Sequence, residues 1–414
     1  MPAGRSCLVT ERRMSWLIAC CFAAGMPLAA QTDSSGTKPY ATLDRQSVTY
    51  RGPVSAADKQ LPDDIAVIGM ILPLRGAQEA EGKALLAAAQ IALEEEQERG
   101  GLPDGRKLVL AVRDESGPWG QASSEILKLI EQDHALAVIT SANGATAHQA
   151  EQIANKISFP ILTLASDSAT TQTNVPWVFR LGPSDMDQAR AMCQEISEQS
   201  GVRKILLIVD KDHDGRVGGE EFEKAARERK LAAPQKIELE PSSPQLESVS
   251  ARIQAGVPDD VVVWADASVT KRLLPLIGQW APSARVYLCS KAAQLGSVGG
   301  DGKMDGGQGG EYFTVAAASN GTAEVVREKF AEEYRKRTGK APGMAAFEAY
   351  EAVHLIAAGI RTKGASRIGL REYLAETDKT RSAPGVIAFD PAGNSTQEFS
   401  VVRVNSGLAE ITAQ

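Results

Sequence analysis

Asp210-Lys-Asp-His-Asp-Gly-Arg-Val-Gly-Gly-Glu-Glu221 sets carboxylates at its first, third and fifth positions, glycine at the sixth, an apolar residue at the eighth and glutamate at the last. This is the spacing with which an EF-hand loop wraps calcium, a cation that takes hard oxygen ligands. It nominates the side chains of Asp210, Asp212, Asp214 and Glu221, with the carbonyl of Arg216. The same residues also suit a plain strand-to-helix connection, because the element entering the motif reads as a strand and no second EF-hand is present to pair with it. A second group of chemistry-bearing residues lies earlier. Thr140-Ser-Ala-Asn-Gly-Ala-Thr146 and Ala165-Ser-Asp-Ser-Ala-Thr-Thr171 are runs of short hydroxyls and small residues that expose backbone amides. Catalytic constellations are lacking. His134, His148, His213 and His354 are scattered, His354 within an apolar helix, and no metal-protease helix, nucleophile elbow or dinucleotide fingerprint occurs in its required setting. Gly302-Lys303-Met304 lacks the following Ser or Thr of a phosphate loop, so the glycine-rich stretch 296–310 reads as a surface loop. An enzyme is not expected.

The elements that position these residues alternate between strand and helix. Ile65-Ala-Val-Ile-Gly-Met-Ile-Leu72 is an unbroken apolar run of strand length and so reads as buried on both faces. Helix 82–99 follows, stopped by Gly100-Gly101, then strand 108–112, a helix around 123–130, strand 135–139, a helix, and strand 160–164. In an open parallel sheet, ligands sit beyond the carboxyl ends of the strands, where both hydroxyl-rich loops fall. A second set starts beyond Asp185: helix 187–199, strand 204–209, helix 218–231, strand 236–239, helix 245–255, strand 260–264, helix 269–279 and strand 285–289. Such alternation demands right-handed parallel crossovers.

Several segments carry a specific resemblance: Ile68-Gly-Met-Ile-Leu-Pro-Leu74, Ala88-Ala-Gln-Ile-Ala-Leu93, the strand end at Asp114, Phe159-Pro-Ile-Leu-Thr163 and Val178-Phe-Arg-Leu-Gly-Pro-Ser-Asp185. Lys204-Ile-Leu-Leu-Ile-Val209, Asp260-Val-Val-Val-Trp264 and Ala349-Tyr-Glu-Ala-Val-His-Leu-Ile-Ala-Ala358 continue it. In order and spacing, from about Asp64 to Gly407, they resemble the periplasmic leucine/isoleucine/valine-binding protein family, the receptors of amino-acid and amide ABC transporters. The resemblance implies an α/β fold of two doubly wound parallel-sheet lobes joined by a hinge of three crossovers. The chain would return to the first lobe near Thr314, supply helices 322–338 and 344–361, and cross again near 385–390. Lobe 1 is then 64–183 and 315–387, and lobe 2 is 184–314 and 388–414.

It also implies a cleft in which hydroxyls and backbone amides of one lobe hold a carboxylate or amide, while an acid of the other meets an ammonium group. On that pattern Asn143 and Gly144 fall where relatives carry Ser, and Ser166 and Ser168 fall in the next loop. Asp214 stands where relatives are often aromatic, and Asp266 is the ammonium partner. Losing the Ser pair and the aromatic residue argues against a branched aliphatic amino acid. The implied partners are a small amino-acid-like or amide ligand and an ABC transporter permease, the chain acting as a monomer. No cofactor is required, calcium being the one addition the motif offers. The alternative is a calcium-binding periplasmic sensor or regulatory receptor of the same fold.

Composition agrees with this. At 414 residues the chain exceeds a typical single domain, and its net charge of −7 with few aromatics gives a poor surface for nucleic acid. Arg5, Arg12 and Arg13 precede a mostly apolar Met14–Leu28 and the small residues Ala29-Ala30, an export signal over 1–30 that directs the product to the periplasm. Leu17-Ile-Ala-Cys20 resembles a lipobox, but too few residues separate it from Arg13 to form the apolar region ahead of it. Residues 31–63 read as a linker or tether, with Ser47–Tyr50 able to add an edge strand. Beyond the leader only Cys193 and Cys289 remain, one in a helix and one in a strand; an oxidising periplasm allows one disulfide between them, and two separately buried thiols are the expectation. The export signal and the lack of a DNA-binding module argue against a cytosolic ligand-sensing regulator.

Overall fold

A computed structural model describes residues 49–50, 61–118, 120–173, 175–240, 245–294, 311–317, 322–376 and 387–404. The expected export signal, most of the linker and the glycine-rich stretch 296–310 lie outside the described residues.

The first sheet is built by β1 (Ile65–Leu72), β2 (Lys107–Asp114), β3 (Ala137–Thr140), β4 (Ile161–Thr163) and β5 (Val178–Arg180), in the order β2-β1-β3-β4-β5 with every pair parallel. The helices between them are α1 (Glu79–Glu98), α2 (Gln121–Glu131), α3 (Gly144–Ile157) and the single turn α4 (Ala169–Gln172). Alternation along β1 explains its double burial. Ile68, Met70 and Leu72 enter one core, while Val67 and Ile71 enter another on the opposite face. The first core is closed by α10 (Met344–Lys363), which packs along α1 and is buried over most of its length. The second is closed by α2 and α3, with Trp177 and Phe159.

The second sheet is built by β6 (Ile205–Asp210), β7 (Gln235–Leu239), β8 (Asp260–Trp264), β9 (Arg285–Leu288), β10 (Glu311–Ala317) and β11 (Phe399–Arg403). Their order is β11-β10-β9-β8-β6-β7, parallel except for the edge strand β11. Helices α5 (Asp185–Ser197), α6 (His213–Glu228), α7 (Leu246–Ala255) and α8 (Ala267–Trp280) complete this lobe. The chain passes between the sheets after β5, after β10, and before β11, each lobe keeping its own core. Between β10 and α10 runs α9 (Thr322–Thr338), and α11 (Arg367–Ala375) follows α10. Among the described residues no helix is long and apolar enough to cross a membrane.

Four details differ from the sequence reading. The resemblance implies a return to the first lobe near Thr314, but Thr314 lies inside β10, paired with Val402, and the strand continues to Ala317. Helix α6 starts at His213 rather than near 218. Thr49 and Tyr50 form no strand. Tyr50 is instead pinned to the first lobe, its N–H donating to Glu372 (3.0 Å), its hydroxyl against Ser158 and its ring edge-on to Trp177. Strands β5 and β11 and helix α11 were not read from the sequence. Cys193 and Cys289 are both buried and free, and burial pushes each thiol up to about 12.

Within the second lobe, α6 lies so close to β8 that a Cβ at Gly218 would overlap the indole of Trp264. That indole cannot yield freely, because it is buried and its Nε1–H donates to Asp185 Oδ1 at 3.1 Å. Gly218→Ala should therefore lower stability by about 1–3 kcal/mol, despite the better helix propensity of alanine. An unchanged urea midpoint would show that α6 slides freely on β8.

Candidate functional site

The carboxyl ends of β1, β3, β4, β6, β8 and β9 face one another across the space between the lobes, and side-chain capping shapes the loops there. Asn143 caps α3, its Oδ1 accepting from the Thr146 N–H (3.1 Å), which leaves the N–H of Gly144 at the open first turn. Opposite, Asp212 caps α6 by accepting from the Gly215 N–H (2.7 Å). The Gly144 N–H then reaches across the cleft and donates to Asp214 Oδ1 at 2.9 Å. A Cβ at Gly144 would overlap that carboxylate and press on Asp167 and His213, so only glycine allows this approach.

The loop after β4 is held from beneath. The buried Arg180 donates to the carbonyls of Ser166 (3.2 Å) and Ser168 (3.3 Å) and to the hydroxyls of Thr170 and Thr171. The Ser166 carbonyl also accepts from the Asp185 N–H, and the Ser168 hydroxyl accepts from the Met186 N–H. Both serines thus fasten the loop to the start of α5. Between them, Asp167 is buried and accepts from His148 Nε2 (2.8 Å) and from His213 Nε2 (2.6 Å) on the opposite lobe. Burial alone would raise the Asp167 pKa, but the two imidazoles hold it well below the usual carboxylate range. The hydrogen bond to Asp167 lifts His213 and, helped by Glu151, pushes His148 up to about 9.

The centre of the second lobe's contribution is Lys291, which the sequence reading missed. Its ammonium is 2.7 Å from Asp214, 2.7 Å from Asp266 and 3.7 Å from Asp212. Burial would lower its pKa, but the charges of Asp214, Asp266, Asp212 and Glu81 outweigh that and hold it well above the usual lysine value. Asp266 also accepts from Gln78 Nε2 of the first lobe at 3.0 Å, and its N–H donates to Asp210 Oδ2 at 2.7 Å. The other Asp210 oxygen is buried with no hydrogen-bond partner among the described residues. Burial, with neighbouring carboxylates, pushes Asp210 up to about 7, and burial does the same to Glu81 on the first turn of α1.

All six expected cleft residues therefore lie at this interface, in different roles. Gly144, Asp214 and Asp266 offer polar atoms across it, while Asn143, Ser166 and Ser168 spend theirs on capping and fastening. The calcium ligands do not converge. A wrapping loop needs irregular backbone through its central ligand positions, whereas here the chain is helical from His213, the fourth position, onward. Glu221, two turns along α6, pairs with Lys224, and Arg216 is exposed beside Glu220. Asp210 and Asp212 instead gather with Asp266, their carboxylate oxygens within 4.8 Å of one another, with the Lys291 ammonium beside them. Lys291, Gln78, Glu81, His148, Asp167 and His213 were legible in part. Each falls near the carboxyl end of a strand or in the first turns of the helix after it, where an open parallel sheet gathers its ligand-facing loops, whereas the six expected residues came from the family pattern.

Comparison with known proteins agrees with this architecture. The family model described as "Periplasmic binding protein" matches residues 66–409. A Leu/Ile/Val-binding protein, BraC3, of Rhizobium johnstonii is 22% identical over 354 residues, covering 82% of this chain and 92% of that protein. Among solved structures, a leucine-binding protein of Thermotoga maritima superposes with a TM-score of 0.70 at 19% identity, covering 83% of this chain and 97% of its own. An ABC-transporter solute-binding protein of Rhodopseudomonas palustris, in complex with 3,4-dihydroxybenzoic acid, superposes at 0.69 with 17% identity, covering 84% and 100%. These two structures share the fold. The extent of the family match, over two α/β lobes whose strand ends meet at a polar cleft, shows that the chain belongs to the periplasmic binding protein family, a family of solute-binding proteins rather than enzymes.

Proposed function

We infer that this protein captures a small amino-acid-like solute between its lobes and presents the closed form to the permease of an ABC transporter. One observation carries the ligand class. The Gly144 N–H holds a carboxylate and Asp266 holds an ammonium, and both are supplied at present by the chain's own Asp214 and Lys291. A zwitterionic solute offers the same two groups, and one bearing an amide in place of its carboxylate still accepts from the Gly144 N–H. Charge supports the ammonium. Asp210, Asp212, Asp214, Asp266 and Glu81 face Lys291, so a purely anionic ligand such as an aromatic acid would enter a surplus of negative charge there. The second crossing follows β10, so we place lobe 1 at 64–183 and 318–387 and lobe 2 at 184–317 and 388–414. The protein is exported through residues 1–30 and works as a periplasmic monomer.

The test is a thermal-shift and calorimetric screen of neutral amino acids, their amides and benzoate-type acids. An ammonium-bearing solute at a hundred times its Kd should add about 2.7 kcal/mol of apparent stability. Stabilisation by benzoate-type acids alone would overturn the ligand class. The pH dependence has a definite sign. Glu81 and Asp210 titrate near 7, above the usual carboxylate range, and only their ionised forms attract a cation. Affinity for the ammonium solute should therefore fall as the pH drops from about 8 to about 6, with protons released on binding. A flat profile would take both carboxyls out of the site.

A further inference from the structure

We propose that His148, Asp167 and His213 form a binding site for a divalent transition metal of the zinc class, which staples the two lobes together across the cleft. The ligand types are those such an ion takes, two imidazole nitrogens and a carboxylate oxygen, and the three ligand atoms lie within 4.8 Å of one another. Both imidazoles approach through Nε2 and both aim at the same oxygen, Asp167 Oδ2, at 2.8 and 2.6 Å. An ion bound at about 2.0–2.2 Å to each atom would separate these pairs to roughly 3.3 Å, a movement of about half an ångström that side-chain rotation supplies.

The surroundings suit a metal. Asp167 is held in place because its Oδ1 accepts from the Ala169 N–H at 2.9 Å. His148 turns its other nitrogen, Nδ1, toward the carboxylate of Glu151 at 3.6 Å, near enough that a small rotation would make it the outer partner a metal-bound imidazole takes. Both rings remain about a quarter to a third exposed, so a further coordination position opens to water or solute while the carboxylate stays buried.

Topology gives the site its consequence. His148 on α3 and Asp167 after β4 belong to the first lobe, and His213, the first residue of α6, belongs to the second. An ion bound by all three is bound only when the lobes are closed, so metal favours the closed state by its differential affinity for it. This inference does not depend on which solute the cleft accepts.

The experiment uses the protein freed of metal by a chelator, with zinc chloride alone as the probe and no solute added. One equivalent of zinc should bind by isothermal titration, raise the melting temperature reversibly on chelation, and reduce the radius of gyration in solution scattering. Cobalt in its place should give the visible absorption of a low-coordinate site. His148→Gln and His213→Gln each keep an N–H donor for Asp167, so the hydrogen-bonded arrangement can survive, but each should weaken zinc by more than about a hundredfold. Asp210→Asn should leave zinc binding unchanged. No binding at millimolar zinc would overturn the proposal. So would binding that persists in both histidine variants, or that is lost in Asp210→Asn, which would move the ion to the cluster of Asp210, Asp212 and Asp266.

Discussion

Replacing Glu96 by glutamine should lower the stability of the first lobe by about 3 kcal/mol at neutral pH, although the substitution keeps the volume of the side chain. Glu96 is 1% exposed on α1, and its carboxylate pairs with Arg99 at the end of the same helix (2.7 Å) and joins that helix to α10 through His354 and Arg361. The amide would leave these groups with a lost counter-charge at a buried position. Because Arg99 and Arg361 reach water, the expected loss sits at the low end of what removing one partner of a buried pair costs. Linkage gives the pH signature. Burial would raise the Glu96 pKa, but hydrogen bonds from His354 and Arg361 pull it from 4.5 down to about 2. Its contribution is therefore present above 4.5 and lost as the pH falls toward 2. His354 is shifted the other way. Burial lowers it, Glu95 and Glu96 raise it more, and its contribution disappears as the pH rises past its elevated folded value. Guanidinium unfolding at a series of pH values should show a shallower acid limb for the variant. Coincident curves would mean that the cluster contributes no net stability.

The parts of the fold that were legible in the sequence are those whose burial leaves a one-dimensional trace. Ile65–Leu72 could be read because both faces of β1 are covered, so every residue must be apolar, whereas the bounds of α9 follow from the family resemblance rather than from such a trace. Edge strand β11 is largely solvated and leaves no such trace. Helix α11 was hidden because two of its inward residues are arginines. Arg367 donates to the carbonyls of Ala135 and Ile130, and Arg371 to that of Pro176, so a charged side chain does the packing an apolar one usually marks. The start of α6 was misread for a different reason. An aspartate that accepts from a backbone N–H two or three residues on serves equally as a helix cap or as the opening of a calcium loop, and the cap prevailed at Asp212. Lys291 and His213 show the limit of position alone. Their strand ends could be located, but the partners that give them meaning, Asp214 for one and Asp167 for the other, are brought near only by lobe closure and crossover packing.

Asp266→Asn should weaken binding of an ammonium-bearing solute by about 2–5 kcal/mol, because a desolvated cation then meets an amide dipole where it had a carboxylate. The fold should survive. Lys291 keeps Asp214 and Asp212, and an asparagine oxygen still accepts from Gln78 across the cleft. The informative comparison is with Lys291→Ala. If the Asp214–Lys291 pair stands in for the solute's own carboxylate and ammonium, the solute must displace Lys291 from Asp266, and removing that ammonium removes a competitor while leaving the acids in excess. Calorimetric affinity should then rise in Lys291→Ala and fall in Asp266→Asn. A cleft built to hold an anion on Lys291 requires the reverse, with binding lost in Lys291→Ala and improved when the nearby carboxylate is neutralised. The sign of the two changes therefore decides whether Lys291 is a built-in rival of the ligand or its principal contact, and unchanged affinity in Asp266→Asn removes Asp266 from the site altogether.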